Sequence, residues 1–284
     1  EYYLFAHPYR KYAKINRLRI LLEEEQEVGK KEELLLELIK SFVEIKDFLL
    51  AAKSAEALCR LADCERCHNL LHQLKELYEL ECRAMEQIDE NNVFMLCLDG
   101  MRHKDISSGD MPGFHTFVQD NCFQYTNAYA VSTSTYESLV PAYGEITDMR
   151  TRYYERNCVS KQECRFIQKA EQQERNIYFY TDFIKYVDGE DIIRRGTYET
   201  VTEKLWNFIL DAAAETNGLF YVHVLYESHY SYPSPYAKAG LIAEGTSIMF
   251  DFLSRNGGRL RADYVGQHSD ALRYLDDILT PFLN

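Results

Sequence analysis

The chain has 284 residues, of which 46% are hydrophobic, 27% charged and 13% aromatic, and 32 Lys and Arg stand against 45 Asp and Glu for a formal charge of −13. With only 13 Gly and 6 Pro, this composition excludes a disordered, collagen-like or small disulfide-stapled protein, and leaves room for one large domain or two smaller ones around a sizeable core. The acidic balance weighs against nonspecific nucleic-acid binding, which needs a basic surface, so no nucleic-acid partner is expected. No run of about 20 apolar residues is present, so no membrane span is expected in this chain. Residues 1–14 lack the apolar core of a signal peptide. The cysteines, at 59, 64, 67, 82, 97, 122, 158 and 164, read mostly as free thiols of a reducing compartment.

In chain order, residues 10–88 read as almost continuous helix: Leu, Ile and Phe recur at three- and four-residue spacing with Glu and Lys between them. Gly29 is the expected break between the first two helices. Leu35 to Leu50 forms a second helix, and Ala51 to Met85 a third or a split pair. Residues 1–90 thus form a helical module, and residues 91–284 a second domain. There the pattern changes. Asn92-Val-Phe-Met-Leu-Cys-Leu98 is a short apolar run ending in Asp99-Gly100, the signature of a buried strand with a loop at its carboxyl end. Ligands in open α/β sheets lie beyond the carboxyl ends of strands, which puts Asp99 in reach of a site. A turn aspartate before glycine is the bland alternative.

Short helices are expected at Pro112–Asp120 and Ser138–Ala142, and a charged one at Asn157–Gln173. Ile177–Tyr180 is a strand candidate, Glu199–Glu215 an amphipathic helix, and Leu219–Leu225 a second core strand. Residues 226–262 read as loop with a helical piece near 241–254, and Arg261–Leu283 as the last helix. Strands alternating with helical runs predict an α/β fold: a mostly parallel sheet with flanking helices, preceded by the all-helical module.

Two constellations bear on chemistry. Asp99 with the hydroxyl run Ser132-Thr133-Ser134-Thr135 pairs a metal-binding carboxylate with a nucleophile, the ordinary equipment of phosphoryl or sulfuryl transfer. A Ser/Thr run is otherwise simply a loop. Cys64-Glu-Arg-Cys67-His68 matches the spacing of c-type haem attachment, and Cys59 and His72 add soft ligands that would suit zinc. On a helix, however, Cys64, Cys67 and His68 share one face, and buried thiols packed against Leu61 and Leu71 are the favoured reading. Arg102, His103 and Lys104 could draw an anion to the rim. Tyr226, Glu227 and Tyr230 flank His229 and could line an entrance. Asp276-Asp277 reads as a solvated helix face.

Val93–Met101, then Asp105 and Pro112, then Phe123-Gln-Tyr-Thr-Asn-Ala-Tyr-Ala130, resembles the opening of the sulfatase and alkaline-phosphatase superfamily. The strand Leu219–Leu225 with His229 and Tyr232-Pro233, and the segment from Tyr264 through His268–Leu283, are similar to later parts of the same family. The resemblance covers residues 92–284. It implies an alkaline-phosphatase-like sheet, Asp99 as the first acidic metal ligand, and Thr135 as a nucleophile that also touches the metal. It implies Ser138 as the serine three residues further on, His229 as the histidine that holds the charged substrate group, and His223 as a weaker substrate-binding candidate. Ser134 stands in if the register differs by one. The implied cofactor is a divalent metal, zinc first, with manganese, magnesium or calcium as alternatives. The implied substrate is an anionic small-molecule, lipid or glycan ester.

Two departures shape the expectation. Thr135-Tyr136-Glu137-Ser138-Leu139 has neither the Cys nor the Pro and Arg of the formylglycine signature, which makes a strict sulfatase the third choice. A threonine resembles instead the phosphoethanolamine and phosphoglycerol transferases. The resemblance also calls for an Asp-His pair on a strand beyond residues 268–283, and no Asp-His dipeptide occurs in the sequence. Three outcomes are open: a segment not in this sequence completes the site, a second chain does, or the domain is a noncatalytic partner-binding scaffold. For location, the cysteines favour the cytoplasm, whereas the transferase resemblance favours a membrane-associated or outward-facing protein.

Overall fold

The helical period from residue 7 onward is interrupted three times, and each interruption has a local cause. The structure, a computed structural model, describes residues 7–107, 109–125, 127–130, 132, 135–144, 158–182, 186–229, 232–237 and 257–283. Helices α1 (His7–Glu24), α2 (Val28–Glu44), α3 (Phe48–Ala62) and α4 (Glu65–Glu86) open it. The first break is not at Gly29, which lies inside α2. It falls at residues 25–27, where the Glu25 carboxylate accepts the backbone N–H groups of Gln26 and Glu27 at 2.8 and 2.9 Å. That local capture offers the backbone an alternative to helical bonding. The second break comes earlier than the expected 50/51 boundary. Lys46 has φ 63°, and Asp47 caps α3 by accepting from Leu50 N at 2.9 Å. The third, at left-handed Asp63 and extended Cys64, resolves the stretch read as a third helix or a split pair into two helices.

The apolar stripes of these helices do not close on themselves. Leu38 and Phe42 of α2, Leu58 of α3 and Leu74 of α4 share one buried cluster with Leu205, Leu272, Leu275 and Leu279 from the far end of the chain. The helical module is therefore continuous in packing with the α/β part.

Strands β1 (Val93–Leu98), β3 (Asn176–Tyr180), β5 (Ile193–Arg195) and β6 (Gly218–Val224) form a sheet of order β1-β6-β3-β5. Every neighbouring pair in it is parallel. A separate parallel pair joins β2 (Val159–Ser160) to β4 (Val187–Asp188). Around the sheet lie α5 (His103–Ile106), α6 (Pro112–Asn121), α7 (Thr135–Gly144), α8 (Arg165–Gln172), α9 (Val201–Ala213) and α10 (Gly257–Leu283). The helix expected over 157–173 is shorter, because β2 and a 3-10 turn at Lys161–Glu163 precede α8. The helical piece expected near 241–254 lies outside the described residues.

The pleat decides which side chains meet. Phe94, Leu96, Phe220 and Val222 face Phe208 of α9. Met95, Cys97, Leu219 and Tyr221 face Val140 and Tyr143 of α7 and Ile167 of α8. Side chains alternate across a strand, so Asp99 and His223 continue the second set and project toward α7. Both faces of the sheet are covered at β1 and β6, which is why these two strands read as apolar runs. This is a mixed α/β fold with a largely parallel central sheet flanked by helices and an N-terminal helical module. Among the described residues, no helix is long and apolar enough to cross a membrane.

Candidate functional site

Asp99 directly follows β1, and its N–H bonds Val224 O at 3.0 Å, extending the ladder with β6 by one step. Gly100 then turns the chain at φ +76°. A Cβ at Gly100 would stand 2.8 Å from Ser228 O and 3.2 Å from His229 Cα. Glycine there lets the loop after β6 cross the end of β1 in close contact, which brings His229 beside Asp99.

Thr135 opens α7, and its Oγ1 donates to Asp99 Oδ2 at 2.9 Å. His223 of β6 is wholly buried, with Nε2 3.3 Å from the same Oδ2. Neither imidazole nitrogen makes a well-aligned hydrogen bond. Burial pushes the Asp99 carboxyl up most strongly, but the adjoining His223, the Thr135 hydroxyl and the charge of His229 together hold it below its ordinary value. Burial likewise pushes His223 down. Asp99 and Cys97 outweigh it, and the imidazole sits above its usual value. The two shifts describe one ion pair at the carboxyl end of the sheet.

Ser138 Oγ donates to Ser132 O at 2.7 Å, and Ser132 Oγ donates to Glu137 Oε2 at 2.5 Å. These bonds tie the segment before α7 to its first turn. The Ser138 hydroxyl is thereby engaged with backbone. Ser134, the alternative nucleophile, lies outside the described residues, as does Tyr230.

A buried polar layer under the site carried no motif. Lys204 Nζ donates to Asp182 Oδ2 at 2.7 Å and to His223 O at 2.8 Å, and both of its ends are 1% exposed. Tyr226 and Glu227 belong to this layer and not to an entrance: they are 3% and 1% exposed. Glu227 accepts from Tyr12 Oη at 2.6 Å and from Val201 N at 2.9 Å. Only the amphipathic break of a lysine on the apolar face of α9 could have signalled Lys204.

Other expectations are relocated. Arg102 is paired with Asp105 at 2.7 Å, and His268 Nε2 lies 3.5 Å from that carboxylate. Asp276 is buried, not solvated. It accepts the N–H groups of Gly113 and Phe114 at the start of α6 at 3.1 and 2.7 Å, a capping role supplied from another helix. Cys64 and Cys67 are a disulfide and not a pair of buried thiols. Cys64 is exposed, while Cys59, Cys82, Cys97, Cys122 and Cys158 are free thiols.

For a divalent cation, Asp99 and Thr135 supply two oxygen donors. A zinc site wants about four ligands, so this pair fits one side of such a site without completing it. Among the described residues, no group of three or more His, Cys, Asp or Glu side chains could hold a metal ion. No family model matches the chain, and no curated protein and no solved structure matches it.

Proposed function

We propose that this chain is a sulfatase- and alkaline-phosphatase-like protein whose site performs group transfer on a phosphate ester or related anionic ester. It acts as a hydrolase or transferase with Thr135 as nucleophile. The single observation behind this reading is the 2.9 Å contact of Thr135 Oγ1 with Asp99 Oδ2, between two residues 36 positions apart that the sequence reading expected to share a site. Its position at the carboxyl ends of two adjacent parallel strands is where such folds bind ligands.

In this reading Thr135 Oγ1 attacks the phosphorus or sulfur in line, and its proton passes to solvent. The new bond is Oγ1 to the transferred group, and the bond broken is the ester bond, whose alcohol leaves with a proton from solvent. Water or an acceptor alcohol then releases the covalent intermediate. His229, on the partly exposed loop after β6, donates to the nonbridging oxygens. His223 is too deeply buried to reach substrate and acts by keeping Asp99 ionised. Asp99 and Thr135 would hold one side of a divalent metal, zinc before manganese, magnesium or calcium, which supplies a lowered hydroxyl pKa and charge neutralisation. Its remaining ligands come from residues beyond those described, from a segment not in this sequence or from a second chain.

A second reading, a noncatalytic scaffold, draws on a different observation. Phe123, Tyr125 and Tyr129 are 100%, 85% and 85% exposed, a run of aromatics suited to a protein partner. The deciding experiment is a panel of phosphomonoesters, phosphodiesters and sulfate esters run with each of the four metals. Turnover that drops by about 100-fold or more in Thr135→Ala, with the circular dichroism spectrum unchanged, is the expected result. Turnover equal to wild type in that variant rejects Thr135, and absence of turnover across the whole panel favours the scaffold.

A further inference from the structure

Cys64 and Cys67 are placed asymmetrically. Cys64 is the capping residue of α4, a 22-residue helix, and is exposed, whereas Cys67 is buried in the first turn at 7%. The backbone N–H of Cys67 donates to Cys64 Sγ at 3.3 Å. In the reduced protein a thiolate on Cys64 therefore has a backbone donor and the positive end of a helix beside it, the two influences that lower a thiol pKa. Of the acidic neighbours, Asp63 is engaged, its Oδ1 3.0 Å from His68 Nε2, and Glu65 stands in the first turn of α4. Asp63 itself is left-handed, with φ 38°, and ends α3. The sharp corner it makes presents Cys64 to solvent.

A bridge between residues three apart closes so short a loop that its chain-entropy contribution is near the bottom of the range for disulfides. Stapling the α3–α4 hairpin is a weak reason for this pair, and its asymmetric exposure is that of a reactive one. We propose that Cys64–Cys67 is a reversible two-electron dithiol–disulfide site that exchanges with small-molecule thiols through Cys64. The proposal is independent of the chemistry at Asp99 and Thr135.

In the reductive direction a thiolate of the reductant attacks Cys64 Sγ. The Sγ–Sγ bond breaks, and Cys67 leaves as a thiolate and takes up a proton. A second reductant thiol attacks the external sulfur of the mixed disulfide, which releases Cys64. The balance is one protein disulfide and two thiols giving one protein dithiol and one small-molecule disulfide.

The test uses the intact chain equilibrated in reduced and oxidised glutathione mixtures, quenched with acid, alkylated and mapped by mass spectrometry. Cys64 and Cys67 should interconvert together as one couple. In the fully reduced wild type, iodoacetamide at pH 7 should modify Cys64 about tenfold faster than Cys122, the exposed free thiol that serves as internal reference. Cys67→Ser should accumulate glutathione on Cys64. Equal alkylation rates at Cys64 and Cys122, or a pair that does not change state across the glutathione series, would overturn the proposal. The wild-type rate comparison stands even if the variant fails to fold.

Discussion

Thr135 Oγ1 donates to Asp99 Oδ2 over 2.9 Å, and this bond joins the first residue of α7 to the residue that follows β1. The contact follows from the pleat. Met95 and Cys97 pack toward α7, and Asp99 is the next residue on that side. His223 arrives on the same side because it pairs in register with Cys97.

The Asp99–His223 pair sets a pH window. Asp99 is held below its ordinary value, so its contribution is present above the unfolded carboxylate value and lost as pH falls through the depressed folded value. His223 is held above its ordinary value, so its contribution is present below the unfolded imidazole value and lost as pH rises through the raised folded value. Stability from the pair should be complete between about pH 4 and pH 6.5 and decline on either side. Urea unfolding from pH 3 to 9 measures this, and His223→Gln should remove the alkaline decline. An unchanged alkaline limb in that variant places the decline elsewhere.

Gly100 tests the crossing of the two loops. Its φ of +76° and the 2.8 Å approach of a Cβ to Ser228 O both oppose a side chain. Gly100→Ala should destabilise the fold by about 1–3 kcal/mol and, if His229 serves the reaction, reduce turnover as well. Denaturant midpoints and kinetics on the same sample separate the two effects.

Lys204 and Asp182 are both 1% exposed, so removing one partner strands a buried charge. Lys204→Met should cost about 3–5 kcal/mol, and the double replacement Lys204→Met with Asp182→Leu should recover much of it. Equal losses in the single and double variants would mean that the Lys204 bond to His223 O, and not the ion pair, is what stabilises this layer.

Glu81 faces a groove lined by Asp47, Lys46, Tyr78 and Asp277. Burial, aided by the nearby Asp47, raises its carboxyl to about 7, and burial raises Asp47 to about 6. A carboxyl raised in the folded state favours folding most below its unfolded value, and that advantage is lost as pH rises through the folded value. Glu81→Gln should match wild type at pH 4 and exceed its stability at pH 8 by about 1–2 kcal/mol. A pH-independent difference would point to packing and not to the charge.

Much of the fold was legible because it rests on local patterns. The apolar runs at 93–98 and 219–225, the helical period of α4 and α9, and Pro112 at the head of α6 announce their elements by spacing alone. Helix ends were less legible. Gly29 carries a generic break signal, yet the chain turns where Glu25 captures backbone N–H groups and where Lys46 and Asp63 take positive φ. Those choices depend on which neighbouring helix the stripe must meet.

By itself the sequence marked strands β1, β3 and β6, most of the helices and the parallel habit of the sheet, since each depends on residues close in the chain, and a family resemblance named Asp99, Thr135, His223 and His229 as candidates. Tertiary structure alone decided that these four converge, that Lys204, Asp182 and Glu227 form a buried layer beneath them, that Asp276 caps α6, and that Cys64 and Cys67 are joined. Burial and proximity between distant segments set those outcomes: the price of an unpaired charge away from water depends on what the fold brings next to it, and no periodicity in the chain encodes that.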